Sequence, residues 1–159
     1  MRVGIGYDIH RLAPGRPLRL GGVAIPSEAG PVGHSDGDVV LHAICDALLG
    51  AAALGDIGDH FPDDDPALAG IESAALLART LEMVREAGFE PMNVDVNIIA
   101  ERPRLGDRKG LIKANVARLL GIEQARVSIK ARTAEGLGPV GQGLAIAAQV
   151  AILVREKTQ

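Results

Sequence analysis

The sequence predicts an α+β fold in which helices cover one face of a mixed β-sheet. Three observations carry that expectation. Short segments alternate apolar and polar residues with the period of two of a half-buried strand, most clearly Val94-Asp95-Val96-Asn97-Ile98 and Val127-Ser128-Ile129-Lys130-Ala131-Arg132. Other stretches repeat apolar residues at helical spacing. The elements run roughly β-β-α-α-β-α-β-β, an order that suits a mixed sheet better than a strictly alternating parallel one.

Val3, Ile5 and Tyr7 alternate with small residues as a first strand, and residues 18–25 form a second, reached through a loop containing Pro14-Gly15. These two are expected to pair as a hairpin. A polar, Gly-rich stretch then leads to His34-Ser35-Asp36-Gly37-Asp38 and the Ala- and Leu-rich run 39–54. Ser35 and Asp38 have capping-box spacing, with Asp in place of Glu or Gln, so a helix is expected from near residue 36. Residues 55–66, with Gly, Pro and a run of Asp, read as a loop.

Ala74, Leu77, Leu81 and Val84 share the face of a second helix, stopped by Gly88. A strand through Val94, Val96 and Ile98 ends at Ala100-Glu101-Arg102-Pro103, and Ile112, Val116, Leu119 and Leu120 line a third helix closed by Gly121. The strand 127–132 runs into Gly-rich turns at 136–143. The last strand, 144–154, is apolar on both faces and so requires cover on both, from a helix layer or another subunit.

With 159 residues the chain is long enough for one domain, 1–159, with one core. Hydrophobic residues at 47% and charged residues at 23% are near the globular average, so disorder is not expected. A net charge of -3, with no Trp, one Tyr and two Phe, argues against nucleic-acid binding. Cys45, the single cysteine, cannot form an intrachain disulfide. No apolar run approaches the roughly 20 residues of a membrane span. The start lacks the basic and long apolar pattern of a signal peptide, and a cytoplasmic location is the expectation.

Asp8 and His10 stand one residue apart at the end of the first strand, so both side chains share a face, either as metal ligands or as a hydrogen-bonded surface pair. His42 lies in the first turns of the Ala/Leu-rich helix, with Asp38 and Asp46 four residues to either side on its face. It is either a core histidine or the third ligand of a two-nitrogen, one-oxygen site with an open position, the pattern of catalytic zinc. Asp38 or Asp46 could orient its second ring nitrogen, or Asp38 could simply cap the helix. Cys45 reads as a buried hydrophobe rather than a rival thiolate.

His34 and Ser35 precede the helix, where free N–H groups favour a phosphate, or serve only as loop and cap. The acidic loop Phe61-Pro62-Asp63-Asp64-Asp65, with Asp56-Ile57-Gly58 before it, could accept hydrogen bonds from substrate hydroxyls, or be solvated like most acidic loops. Lys130-Ala131-Arg132-Thr133-Ala134-Glu135 offers cations, a hydroxyl and a carboxylate for a phosphoryl group and a divalent ion, or is a surface strand of alternating charge.

Taken together, Asp8-Ile9-His10, His34-Ser35-Asp36-Gly37-Asp38 with His42 and Asp46, residues 54–58 with Phe61-Pro62-Asp63, Val94-Asp95-Val96, Ala100-Glu101-Arg102-Pro103 and residues 130–143 resemble the cyclodiphosphate synthase family of the non-mevalonate isoprenoid pathway. The resemblance covers nearly the whole chain in order. It implies a homotrimer with the three sheets facing a central core and active sites between neighbours. The implied reaction is attack by the 2-phosphate of 4-diphosphocytidyl-2-C-methyl-D-erythritol 2-phosphate on the β-phosphorus, giving a cyclic diphosphate and CMP.

By position, the resemblance makes Asp8, His10 and His42 zinc ligands and Glu135 a magnesium ligand. It makes His34 and Thr133 stabilisers of the transition state. Ser35 joins the substrate contacts; Asp56, Ile57 and Gly58, with Phe61, Pro62, Asp63, Asp64 and Asp65, fall at the erythritol portion. Ala100, Glu101, Arg102, Pro103, Arg104, Leu105 and Gly106, with Arg132, Thr133, Ala134 and Glu135, match cytidine and diphosphate contacts. Arg132 and Ala134 depart from the small polar residues common in the family. Pro139 and Gln142 replace the Phe and Arg that accompany binding of an isoprenoid diphosphate, so that ligand is not carried over. A zinc phosphoester hydrolase and a metal-stabilised trimeric binding module are the competing readings.

Overall fold

The computed structural model describes residues 1–33, 35–62, 65–66 and 70–157. His34, Asp63 and Asp64, expected at the site, lie outside the described residues. The elements are β1 (Arg2–Pro14), β2 (Leu18–Leu20), β3 (Val23–Ile25), β4 (Ala29–Pro31), α1 (Val39–Ala52), α2 (Ile57–His60), α3 (Ser73–Glu86), β5 (Phe89–Ile99), α4 (Lys109–Leu120), β6 (Val127–Arg132), α5 (Gly138–Gly141) and β7 (Ala145–Glu156). Five strands form one sheet in the order β4-β1-β7-β5-β6. Only β5 and β6 run parallel, and α4 lies on the connection between them. The mixed sheet of the expected α+β class is therefore present.

Asp8 and His10 are not at a strand end. β1 pairs with β7 from Arg2↔Val154 to Arg11↔Ala145, and β4 then takes up Leu12, Ala13 and Pro14, so the strand runs well past Tyr7. The expected hairpin between the first two strands is also overturned. Residues 18–25 hold two short strands that pair with each other. They turn at Gly21 and Gly22, whose φ values of 59° and 77° suit the two-residue turns that need positive φ at both positions.

α1 begins at Val39 rather than near residue 36, because Asp38, and not Ser35, is its cap. The fully buried Asp38 carboxylate accepts from the backbone N–H groups of Val40 and Leu41, both at 3.1 Å, and of Gly21 and Gly22 at 2.9 and 2.6 Å. One side chain thus starts the helix and fastens the β2–β3 hairpin to it. Burial pushes its pKa up, and the amide donors from Gly22, Gly21 and Leu41 work the other way. The region read as a plain loop after α1 contains the short α2, and the turns at 136–143 contain the single-turn α5.

α1 is buried along nearly its whole length and packs against β1, β7 and α3. Gly4 and Gly6 permit this contact. A Cβ on Gly4 would lie 1.8 Å from the Ala47 carbonyl oxygen, and one on Gly6 would lie 1.9 Å from that of Ala43. No side chain fits there. On β7, Ile146, Ala148, Val150, Ile152 and Val154 are buried in the core, whereas Gln149 and Ala151 are exposed. Ala145 and Ala147 on the other face are buried as well, so the cover expected on both faces is supplied by this chain fully on the helix side and in part on the other. On β1 the residues of the other face stand open, with Val3 at 68%, Ile5 at 80%, Tyr7 at 55% and Ile9 at 41% exposure. No helix among the described residues is long and apolar enough to cross a membrane.

Candidate metal centre

The period of two that buries Gly4 and Gly6 under α1 also points Asp8 and His10 to that side. There they meet His42, one residue before the Ala43 carbonyl that rests on Gly6. Asp8 Oδ2 is 3.1 Å from His42 Nδ1 and 3.4 Å from His10 Nε2, and the two ring nitrogens are 3.3 Å apart. All three residues are partly buried.

The neighbours of each ring assign its tautomer. His10 Nδ1–H donates to the Ile9 carbonyl at 3.1 Å, which turns the Nε2 lone pair inward. The Ser73 hydroxyl donates to Asp36 Oδ1, so it accepts from His42 Nε2–H at 2.9 Å and leaves the Nδ1 lone pair inward as well. Asp8 spends Oδ1 on the Ile9 N–H at 2.9 Å, leaving Oδ2 for the site. Three lone-pair donors therefore converge on one point. A proton on His42 satisfies one of these contacts; a divalent cation satisfies all three. A tetrahedral ion with bonds of about 2.0–2.1 Å holds its ligand atoms about 3.3–3.4 Å apart, close to the spacing found. Burial is the largest single effect and opposes protonation of His42, but the hydrogen bond and charge of Asp8, together with the charges of Asp38 and Asp36, raise the imidazole above its ordinary pKa.

Neither carboxylate expected to orient His42 does so. Asp38 is committed to backbone N–H groups, and Asp46 Oδ1 accepts from the Ile57 N–H at 2.8 Å. Ser73, with Asp36 behind it, is the partner that the sequence did not disclose. Ser35 Oγ lies 3.3 Å from His42 Nε2 and accepts from the Gly37 N–H. Cys45 is fully buried and its thiol is pushed up to about 12 by burial, which suits a core hydrophobe and not a ligand.

The remaining site residues form two other groups. Asp56 caps α2 reciprocally with Asp59, with Ile57 and Gly58 in that first turn, and Phe61 packs against the core with Pro62 exposed beyond it. Asp65 follows, its N–H donating to the Pro62 carbonyl. Ala100, Glu101, Arg102, Pro103, Arg104, Leu105 and Gly106 line a cleft of about 1120 Å³ together with Arg132 and Thr133. None of Asp8, His10 and His42 lines it. Glu101 Oε1 accepts from the Ala134 and Gly136 N–H groups at 2.9 and 3.4 Å, holding the wall of the cleft in place. The Thr133 hydroxyl donates to Glu135 Oε1 at 2.9 Å. Glu135 has a φ of 53°, a costly conformation for a residue with a Cβ and one that gathers at functional sites. Sequence reasoning missed Lys109 and residues 26–29 and 141–143, which also line the cleft. Their separation along the chain conceals this.

Fold and site together define an α+β protein with a potential metal site built from one carboxylate and two imidazoles. The chain belongs to the YgbB family, whose model matches residues 1–155. A 2-C-methyl-D-erythritol 2,4-cyclodiphosphate synthase of Desulfosudis oleivorans is 54% identical over 100% of this chain and 95% of its own length. One from Symbiobacterium thermophilum is 53% identical over 97% of this chain and 98% of its own. A solved synthase of the same name in a form bound to CDP superposes with a TM-score of 0.90 at 38% identity, covering 97% of this chain and 100% of that one. The bifunctional IspDF of Campylobacter jejuni gives a TM-score of 0.93 at 39% identity over 98% of this chain, which spans 42% of that longer protein.

Proposed function

We propose that the chain, acting as one domain over 1–159, converts 4-diphosphocytidyl-2-C-methyl-D-erythritol 2-phosphate into 2-C-methyl-D-erythritol 2,4-cyclodiphosphate and CMP, as a phosphorus–oxygen lyase. The observation that carries this reading is the convergence of Asp8 Oδ2, His10 Nε2 and His42 Nδ1, in a chain more than half identical to synthases of that name over its full length.

Zinc suits the two-nitrogen, one-oxygen donor set, and bound there it supplies Lewis acidity and a template for a phosphate oxygen. Asp8, His10 and His42 would hold it. Magnesium commonly takes one or two carboxylates plus substrate phosphates, a role for Glu135. The cleft lined by residues 100–106 with Arg132 and Thr133 accepts the cytidyl diphosphate, with Ala134 and Glu135 next to it in the chain and Arg132 facing phosphate charge. His34 and Thr133 stabilise charge developing on the phosphoryl oxygens, a reading that rests on their places in the motifs. Ser35 and the segments 56–58 and 61–65 hold the phosphate and erythritol portion. Attack comes from the substrate's own 2-phosphate, so the chain supplies no nucleophile.

A homotrimer joins the two halves of the site. In one chain the metal cluster and the cleft have no lining residue in common, and the open apolar face of β1 calls for a partner. Sheets facing a central core would cover that face, and the metal of one subunit would meet the cleft of the next. A cytoplasmic location fits this substrate. The test is His42→Ala. It is expected to abolish turnover while the protein stays folded and trimeric; retained turnover rejects the metal assignment, and monomers would mark the metal as structural.

A further inference from the structure

The Ser73 hydroxyl is hydrogen-bonded to two polar side chains, Asp36 and His42, and the residue is fully buried. Its position at the first residue of α3 suggests a cap, but the cap residue of that helix is Glu72, whose side chain makes no capping bond, and the Ser73 hydroxyl makes none either. The hydroxyl is spent elsewhere. It accepts from His42 Nε2–H at 2.9 Å and donates to Asp36 Oδ1, while Asp36 Oδ2 accepts from the Ser73 backbone N–H at 3.2 Å. Asp36 therefore grips Ser73 at two atoms, and Ser73 grips the outer nitrogen of His42.

We infer that Ser73, held by Asp36, is a positioning residue for the metal centre: it fixes the tautomer and ring plane of His42 so that Nδ1 faces the ion. The inference rests on the metal reading of Asp8, His10 and His42. The chemistry favours a hydroxyl relay. Metal-bound imidazoles work best when the other nitrogen donates to a fixed acceptor, and a carboxylate behind that acceptor strengthens the donation. His42 reaches its carboxylate through Ser73. The relay also explains why His42 needs no direct contact with Asp38 or Asp46, the carboxylates that flank it on α1.

The test measures zinc affinity of the full-length protein by competition with a chromophoric chelator, alongside the visible spectrum of the cobalt-substituted form. Ser73→Ala is expected to weaken zinc about 10–100-fold and to shift the cobalt bands, with circular dichroism unchanged. Asp36→Asn keeps the shape of the relay and is expected to weaken zinc less. In the Ser73→Ala background it should add little, since both act through one chain of hydrogen bonds. Zinc affinity within twofold of the parent and an unchanged cobalt spectrum in Ser73→Ala would overturn the inference. If Ser73→Ala fails to fold, Asp36→Asn decides by the same two readouts. His42→Ala separates the two levels of the reading. Undiminished zinc affinity in that variant rejects the metal site itself, whereas loss there with no change in Ser73→Ala rejects only the relay.

Discussion

The carbonyl oxygen of Ala43 lies 1.9 Å from the point where a Cβ on Gly6 would stand. That contact sets how closely α1 approaches β1, and the candidate metal site of Asp8, His10 and His42 depends on it. His42 precedes Ala43 on the helix, and Asp8 follows Gly6 by one full strand period.

Gly6→Ala therefore tests placement and stability together. The obstacle is backbone, so the helix must lift. Overpacking of this kind costs about 1–3 kcal/mol and sometimes more. In a domain of this size the melting temperature should fall by about 2–4 °C per kcal/mol. Turnover should fall about a hundredfold because the ligands shift relative to one another. Calorimetry and initial rates check the two effects, and unchanged values for both would show that the close approach does not position the site.

Asp38→Ala is expected to destabilise by about 2–4 kcal/mol, combining loss of a helix cap with the buried N–H of Gly21 and the part-buried N–H of Gly22 left without an acceptor. The measurement is urea unfolding. A loss under about 0.5 kcal/mol would contradict the view that this carboxylate joins the hairpin to the helix.

Asp95 gives a pH signature away from the metal. Lys130 Nζ, 2.5 Å from its Oδ2, holds the carboxyl below the usual carboxylate range against a slight effect of burial. An acid whose folded pKa is depressed adds stability above its unfolded pKa and loses it as pH falls through the folded one. Parent and Asp95→Asn should thus differ at pH 7 and converge below about pH 3.9. Both side chains are more than a third exposed, so the difference should be only about 0.2–1 kcal/mol. A gap that widens on acidification would reverse the sign.

The grouping of Asp8, His10 and His42 was legible because these residues obey local periods. Asp8 and His10 share a strand face by alternation, and the carboxylates around His42 mark its helix face as polar. The reach of those carboxylates was not legible. Asp38 sits four residues from His42, as the pattern requires, yet its oxygens are drawn to four N–H groups, two of them from a distant hairpin. Ser73 is 31 residues from His42, and nothing local distinguishes it from an ordinary helix-start serine. The hairpin was misjudged because residues 18–25 read as one apolar run, although Gly21-Gly22 carried the turn. β1 outran its own alternation because its partner, β7, lies at the other end of the chain. The last strand reads as apolar on both faces; the helices cover one, and on the other Ala145 and Ala147 are buried while Gln149 and Ala151 are exposed.

The most direct measurement of the central claim is phosphorus NMR and mass spectrometry of the products, formed with zinc and magnesium in oxygen-labelled water from the cytidyl substrate. Internal attack by the 2-phosphate predicts a cyclic diphosphate and CMP in equal amounts, neither carrying solvent oxygen. Label in the released phosphate groups, with no ring formed, would contradict it and identify a hydrolase.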